Sequence, residues 1–310
     1  MKVIIRESKG KTGKGKFTLR LKPALEKLGV TVIHDENAEA DVCLHVGRIH
    51  FKSKAKINVL RVGPANVNSA MDYKKINAEK WKSVKQADAI IYQSEYSKKA
   101  YDTFVGKTKK PYRIIFNGAN PADYIGAKKW VSPYRYNFLA STRVFLPQKR
   151  LKSIIKAFKL ADIEDSCLWI AGDARKYRMK YKAPNIQFLG DCDDRKLARL
   201  YRLCDAMIHI VYLDACPNSV VEAIVAGCKV IVSDQGGTKE LLDYMNPQVW
   251  DKPFKFKPIN LNKPPKVNLE YLAENMLMIT CDPRKNEAKH LYIDHIAKQY
   301  KEFFECLTSK

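Results

Sequence analysis

Short apolar runs alternate with amphipathic stretches along most of the chain. In the first part, residues 17–28 and 96–104 are predicted helices, and the apolar runs are predicted strands at 3–5, 32–33, 42–46, 57–62, 89–92 and 114–116. Such alternation is typical of parallel sheets whose strands are joined by crossover helices. The pattern therefore predicts an α/β fold.

A second series of the same kind follows the first. Its predicted strands lie at 138–140, 168–171, 186–189, 206–211 and 230–232. Its predicted helices lie at 151–160, at 194–203 and from 219 onward. The polar segment 117–137 separates the two series, and the proline-rich stretch 253–265 is a predicted loop. We therefore expect two doubly wound domains, 1–130 and 136–289, with a final helix at 290–310 packing back on the first.

The charge of the chain is strongly positive and unevenly distributed. The formal net charge is +23, and residues 1–130 carry 27 Lys and Arg against 12 Asp and Glu, an excess of +15. A field of this size attracts a polyanionic partner such as nucleic acid or an anionic membrane surface. The alternative is a lysine-rich surface that serves solubility alone.

Cysteine usage and hydropathy place the chain in a reducing, aqueous compartment. The eight Cys include no C-x-x-C pair, so we expect reduced core residues rather than disulfides or metal ligands. No run of 18 apolar residues is present, and the start is too short for a signal sequence. We expect a soluble cytoplasmic protein.

A glycine-rich stretch follows the first predicted strand and precedes the first helix. Residues 10–16 fit G-x-x-x-x-G-K, but Phe17 stands where a P-loop needs a hydroxyl for Mg²⁺. A nucleotide phosphotransferase is therefore disfavoured. Gly13, Gly15 and Lys16 are candidates for contacting a ligand, and the alternative is a flexible basic loop without one.

The acidic run at 191–194 resembles the D-x-D metal motif of some sugar-nucleotide enzymes. It directly precedes a predicted helix, where acidic residues are explained by capping and by the helix dipole. We therefore predict a helix cap and no metal.

Two carboxylates, Asp214 and Glu222, flank a loop that turns into a helix before an apolar strand. A helix start offers unpaired N–H groups and positive potential, which suits a phosphate-bearing ligand, and carboxylates can hold sugar and ribose hydroxyls. Ser219-x-x-Glu222 also fits a capping box, which would explain Glu222 structurally. A second turn at Gly236-Gly237 follows the next strand, so two strand ends supply loops to one crevice.

Residues 206–242 resemble the donor site of retaining glycosyltransferase family 4. That family carries E-x7-E, a helix rich in small residues, a strand and then G-G-x-x-E; this chain has Asp214, Glu222 and Gly236-Gly237-Thr-Lys-Glu240 at those positions. It also follows the D-x-C-P-N-x-V-x-E-A spelling of one subgroup. The segments around Gln93-Ser94, Asn117-Gly118 and 143–190 match other family elements in the expected order.

The resemblance implies the GT-B fold, in which two Rossmann-like doubly wound parallel-sheet domains face a central cleft. It assigns sugar hydroxyls to Asp214, ribose hydroxyls to Glu222, and the donor diphosphate to Arg143 and Lys149. Further donor-binding candidates are Pro217, Asn218, Ser219, Val220, Gly172, Gly236, Gly237 and Thr238. On the acceptor side, Gln93, Ser94 and Asn117 join Gly13, Gly15 and Lys16.

Three positions depart from the family pattern. Asp214 replaces the usual Glu, and Arg143 and Lys149 are separated by five residues where the family has four. Where the subgroup has R-x-D-G, this chain has Arg61-Val-Gly63-Pro64 and lacks the carboxylate. The last departure falls in the domain that receives the acceptor.

These observations predict a metal-independent retaining glycosyltransferase that needs no cofactor beyond a UDP- or GDP-type donor sugar. The favoured acceptor is DNA with a hydroxymethylated base, as in phage glycosyltransferases, because the excess of positive charge lies in the acceptor half. A phage or viral member would act in the host cytoplasm. The alternatives are a lipid-linked or surface glycan at an anionic membrane, and a degenerate GT-B protein that only binds nucleic acid.

Overall fold

The computed structural model of the chain describes residues 1–6, 13–35, 37–50, 53–126, 131–242, 248–281 and 288–309. The chain divides into two compact units. Unit 1 comprises Met1–Asn120, Lys255–Ile259 and Lys289–Lys310, and unit 2 comprises Pro121–Phe254 and Asn260–Ala288. Each unit contains its own six-stranded sheet.

In chain order the strands are β1 (Lys2–Arg6), β2 (Thr31–Ile33), β3 (Val42–Gly47), β4 (Ile57–Val62), β5 (Ala89–Tyr92), β6 (Tyr112–Ile114), β7 (Tyr136–Val144), β8 (Ser166–Asp173), β9 (Ile186–Gly190), β10 (Ala206–His209), β11 (Lys229–Ser233) and β12 (Gln248–Val249). The α-helices are α1 (Gly13–Lys27), α2 (Tyr73–Gln86), α3 (Glu95–Phe104), α4 (Ala122–Ile125), α5 (Leu151–Ala161), α6 (Arg175–Tyr181), α7 (Asp194–Leu203), α8 (Asn218–Val225), α9 (Leu269–Cys281) and α10 (Ile293–Thr308).

The sheet of unit 1 has the strand order β2-β1-β3-β4-β5-β6, with all pairs parallel. Every residue of β3 is buried, as expected for a strand covered on both faces. One face packs against α1 and α10, where the Phe17 and Tyr300 rings lie 5.9 Å apart. The other face packs around Tyr92 and Tyr101.

The sheet of unit 2 has the order β12-β11-β10-β7-β8-β9 and is likewise parallel. Helices α5 and α9 pack together over its apolar core. Helix α4 packs on α7 through the Tyr124 and Tyr201 rings, and unit 2 begins at Pro121. The predicted α/β architecture with two parallel sheets is confirmed.

None of the helices in the described ranges combines the length and the apolar character needed to cross a membrane.

Helix α10 approaches the chain closely at Gly118. A Cβ added there would lie 2.9 Å from the Ile296 Cγ1 atom and 3.0 Å from the Ile293 Cα atom. Because backbone cannot yield as a flexible side chain does, Gly118→Ala is expected to lower the free energy of unfolding by about 1–3 kcal/mol. Gly126→Ala is the matched control, since its Cβ would meet nothing within 4 Å. Thermal melting of both variants tests this, and equal melting temperatures would contradict it.

Candidate donor site in unit 2

Two loops at the carboxyl edge of the unit 2 sheet are joined at Asp214. The Gly237 N–H donates to the Asp214 carbonyl at 2.8 Å, and Asp214 and Gly236 form an isolated parallel bridge. Gly236 has a φ of 100°, and a Cβ added there would lie 2.6 Å from the Asp214 carbonyl oxygen. Only glycine fits this close approach, which holds the backbone of Asp214 in place.

The Asp214 carboxylate lies in a cluster of three polar side chains. The Lys149 Nζ lies 3.3 Å from Oδ2, and the His209 Nε2 lies 3.4 Å from the same oxygen. The other oxygen, Oδ1, accepts from the Ala215 N–H at 2.9 Å. The cluster therefore presents a carboxylate and an ammonium side by side at the end of β10.

The contacts among Asp214, Lys149 and His209, together with burial, determine which of these side chains are charged. Burial alone would raise the pKa of the Asp214 carboxyl, but the Lys149 ammonium and the His209 imidazole outweigh it and hold that pKa well below its usual range. Burial lowers the pKa of His209, although the Asp214 carboxylate opposes this shift. Near pH 7, Asp214 is therefore ionised and His209 is neutral.

The lowered pKa of His209 predicts a pH dependence of stability. The unfolded chain takes up this proton near about pH 6.5 and the folded chain only at lower pH, so stability falls as the pH drops below about 6.5. Asp214 affects stability only at lower pH, because the stabilisation by its ionised carboxylate is lost as the pH falls below about 4. We expect His209→Gln to reduce the loss of melting temperature between about pH 7.5 and 5.5.

The exposed His290, replaced by Gln, is the control for this prediction and should leave the pH dependence of melting unchanged. An unaltered pH dependence in the His209 variant would contradict the inferred protonation states.

The Lys149 side chain is positioned by an anchor at the next residue. Lys149 ends a short 3-10 helix, and Arg150 adopts a left-handed backbone conformation with a φ of 53°. The buried Arg150 guanidinium lies 2.7 Å from the Asp251 carboxylate, which also accepts from the Ser233 hydroxyl. Arg150 packs over the Tyr212 ring as well. These contacts hold the Lys149 turn against the segments that follow β10 and β12 and, through Ser233, against β11.

A β-bulge explains the position of Gly172 and Arg143. Between Ser141 and Val144, strand β7 has one residue more than β8, and Arg143 lies in this bulge with an exposed side chain. A Cβ added to Gly172 would lie 1.6 Å from the Thr142 carbonyl oxygen. Gly172 therefore makes room for the bulge, and in the described residues Arg143 forms no ion pair with Asp214.

Helix α8 begins at Asn218 and has Pro217 at its cap. Ser219 lies inside the first turn, so the capping box predicted for Ser219 and Glu222 is wrong. The Val220 N–H donates to the Pro217 carbonyl at 3.1 Å, which takes up one of the N–H groups expected to meet a phosphate.

The Glu222 carboxylate is instead placed by a tyrosine. Glu222 is 5 % exposed and accepts from the Tyr201 hydroxyl at 3.3 Å. Burial and the neighbouring Glu222 carboxylate raise the pKa of Tyr201, so its hydroxyl remains a donor at neutral pH. Tyr201 carries no motif signal in the sequence and was not among the predicted site residues.

Thr238 is also buried in this part of unit 2. It begins a 3-10 helix directly after Gly237, and its hydroxyl makes no hydrogen bond within the described ranges.

The acidic run at 191–194 forms a helix cap. The Asp193 carboxylate accepts from the Lys196 N–H at 2.7 Å, which confirms the predicted cap of α7. The described part of the chain contains no group of three His, Cys, Asp or Glu side chains arranged to hold a metal ion.

The candidate acceptor residues of unit 1 have structural partners. Gly13, Gly15 and Lys16 lie in the first turn of α1, while residues 10–12 of the predicted glycine-rich stretch lie outside the described residues. Gln93 Nε2 donates to the Val62 carbonyl at 2.6 Å, and the buried Ser94 hydroxyl caps α3.

Asn117 contacts Arg61, the first residue of the segment that differs from the R-x-D-G pattern of the subgroup. Its Oδ1 accepts from the Arg61 guanidinium, which is buried and lies 4.1 Å above the Phe17 ring centre. Arg61 is thus held by an amide and an aromatic face in the described part of unit 1. Acceptor binding by Gln93, Ser94 and Asn117 stays a prediction.

The sequence of unit 2 matches a known protein family. A family model described as glycosyl transferases group 1 matches residues 127–250, which include Lys149, Asp214 and Glu222. An uncharacterised glycosyltransferase of Methanocaldococcus jannaschii is 24 % identical over 205 residues, covering 59 % of this chain and 51 % of the relative. The match thus spans about half the length of that relative.

Solved structures extend the similarity to the whole fold. Sucrose-phosphate synthase from Thermosynechococcus elongatus has a TM-score of 0.67 at 14 % identity, covering 99 % of both chains. A glycosyltransferase from Rickettsia africae has a TM-score of 0.63 at 12 % identity, covering 99 % of this chain and 98 % of its own. HepE of Anabaena, solved with UDP-glucose, has a TM-score of 0.62 at 16 % identity over all of both chains.

The fold, the matched family and the relative agree on one class. The glycosyl transferases group 1 model matches a segment of unit 2, and the two parallel-sheet units correspond to the GT-B fold. The chain is therefore similar to glycosyltransferases in the sequence of residues 127–250 and in its fold.

Proposed function

We propose that this chain is a retaining, metal-independent glycosyltransferase of family 4 that transfers a sugar from a UDP- or GDP-type nucleotide sugar to a hydroxyl acceptor. The observation that carries the proposal is the Asp214 carboxylate in contact with Lys149 and His209 at the end of β10. The UDP-glucose complex of Anabaena HepE supports a nucleotide-sugar donor.

The reaction must stabilise a departing diphosphate. As the bond between sugar C1 and the phosphate oxygen breaks, its electron pair moves to the diphosphate, where the Lys149 ammonium offsets the growing charge. Arg143, on the neighbouring bulge, is the second cation assigned to this charge. Asp214 accepts hydrogen bonds from sugar hydroxyls, and Glu222, oriented by Tyr201, accepts from the ribose.

Retention of configuration follows from attack on the face that the diphosphate leaves. The acceptor oxygen forms the new bond to C1, and its proton passes to the departing phosphate oxygen. This route needs no protein base, which accords with a neutral, buried His209 that faces Asp214. NMR assignment of the product anomer tests retention directly, and an inverted anomer would overturn it.

The acceptor we propose is a hydroxymethylated base in DNA. The support is the net charge of +23, of which +15 lies in residues 1–130. A surface of this charge neutralises backbone phosphates and releases their counterions. Chemistry on a base in a duplex also requires the base to leave the stack, which strong backbone binding assists.

The acceptor is tested by incubating the protein with labelled nucleotide sugars in EDTA and three acceptors. These are hydroxymethylated duplex DNA, unmodified duplex DNA of the same sequence, and anionic phospholipid vesicles carrying a lipid-linked glycan. We expect label in hydroxymethylated DNA alone. Label in the lipid fraction alone would show that the acceptor is a membrane glycan rather than DNA. DNA binding without consumption of any donor would indicate a protein that has lost catalysis.

A further inference from the structure

Helix α6 carries a dense group of cations on its outer surface. It follows β8 directly, and the exposed side chains of Lys176, Arg178, Lys180 and Lys182 form what we call the α6 patch. A fifth cation, Arg175, is held by the Asp173 carboxylate through contacts of 2.9 and 2.7 Å. Within the described residues no ion pair involves a member of the α6 patch, so its charge faces solvent.

The helix is fixed to the domain by its apolar face. The Tyr177 and Tyr181 rings stack at a centre-to-centre distance of 6.4 Å and pack against the core of unit 2. The large apolar side chain that α6 exposes is Met179, which is 89 % exposed. The cations are therefore presented on a helix whose aromatic side chains are already packed against protein.

The position of α6 relates the patch to the donor site. Parallel strands end at one edge of a sheet, and β8 is separated from β10 only by β7. Two strand spacings amount to about 10 Å. Helix α6 begins at this edge and runs towards the opposite edge, where β9 starts, so a polyanion lying along α6 would have its end at Arg175 near the edge at which β10 presents Asp214.

We propose that the α6 patch is a docking surface for the phosphate backbone of duplex DNA. This inference rests on the proposed DNA acceptor and assigns part of its binding to unit 2. Charge complementarity favours phosphates, because the patch supplies four exposed cations that form no ion pair in the described part of the chain. A membrane-surface helix buries its apolar face in lipid, whereas Tyr177 and Tyr181 of α6 are packed on the core.

The test compares two variants that lose the same charge. The α6 variant is Arg178→Gln/Lys180→Gln, and the matched control on α5 of the same unit is Lys156→Gln/Lys159→Gln, at two exposed lysines. Binding of a fluorescent DNA duplex is followed by anisotropy over a series of salt concentrations. We expect the α6 variant to bind roughly tenfold more weakly at low salt, with a salt slope smaller by about 2. The control should stay within about twofold of the wild type, with its salt slope unchanged.

Two further measurements separate this inference from the proposed function. In the absence of DNA, release of nucleoside diphosphate by hydrolysis of the donor should be equal in both variants and the wild type, and their melting temperatures should agree. Equal loss of DNA binding in both variants would refute the proposal that the α6 patch docks DNA, without contradicting the proposal that DNA is the acceptor. A wild type that releases nucleoside diphosphate but binds no duplex would overturn both the acceptor and the patch. Binding to phosphatidylserine vesicles that depends on α6, without DNA binding, would assign the patch to a membrane.

Discussion

Replacing Asp214 with asparagine is expected to lower kcat/KM for sugar transfer by about 10²–10³-fold, and to lower the melting temperature as well, because the ionised carboxylate stabilises the fold. Asparagine keeps the size of the side chain but removes the charge that faces Lys149 at 3.3 Å. The variant replaces a charged acceptor for sugar hydroxyls by a weaker amide oxygen, and it loses the anion that orients the ammonium. Release of nucleoside diphosphate, measured with a coupled assay, gives the rate.

Glu164→Gln is the control for this prediction. It removes one exposed carboxylate from the same unit, directly before β8, at the opposite edge of the sheet. We expect its activity to equal that of the wild type. An Asp214→Asn variant that keeps more than half of the wild-type kcat/KM would remove Asp214 from the site.

Replacing Asp251 with alanine is expected to lower the free energy of unfolding by about 3–5 kcal/mol, because the Arg150 guanidinium is then left buried without its partner. The side chains of Arg150 and Asp251 are 2 % and 0 % exposed and lie 2.7 Å apart. For a unit of this size the loss corresponds to a fall in melting temperature of about 6–20 °C. Activity should fall as well, since Arg150 anchors the turn that carries Lys149.

A double variant distinguishes a lost ion pair from lost packing. Arg150→Met/Asp251→Leu removes both charges and should melt well above the Asp251→Ala variant, since apolar replacements of buried pairs are often tolerated. The exposed pair Lys82–Glu79 is the control, and Glu79→Ala should leave the melting temperature nearly unchanged. Similar melting of the two alanine variants would show that the buried pair contributes little.

Where apolar periodicity is strong, the sequence predicts the fold closely. The bounds of β4 and β5 agree with the predicted strands. Strand β5 is a continuous apolar run, as expected for a strand buried on both faces, and β4 is apolar apart from the buried Asn58 and Arg61. Helix α2 was not predicted. It is rich in lysine and buries only Asn77, Ser83 and Val84, so its sequence lacks an apolar stripe.

Boundaries shift where tertiary contacts decide them. Strand β10 ends at His209 rather than at residue 211, and the chain then turns through Leu213, which has a φ of 66°. This turn precedes Asp214, whose carboxylate lies beside the imidazole of His209. His209 lies in the strand predicted at 206–211, but the contact between the two side chains depends on the turn.

In the candidate site, local motifs predicted some residues, whereas contacts between residues distant in the sequence were missed. Asp214 and Gly236 were predicted because spacing and turn chemistry are local in the sequence. The buried Arg150–Asp251 pair joins residues 101 positions apart and has no local signal. Tyr201 meets Glu222 only because α7 and α8 pack together, so no motif could show it.

Binding of nucleotide sugars is the measurement that tests the central claim most directly. Titration calorimetry in EDTA, with a panel of UDP and GDP sugars, should show one donor that binds the wild type in the micromolar to millimolar range, roughly the span of enzyme KM values. Glu222→Gln should weaken that binding about tenfold at an unchanged melting temperature, since a charged hydrogen bond to the ribose is lost. A folded wild type that binds no member of the panel would contradict the assignment of this chain as a nucleotide-sugar glycosyltransferase.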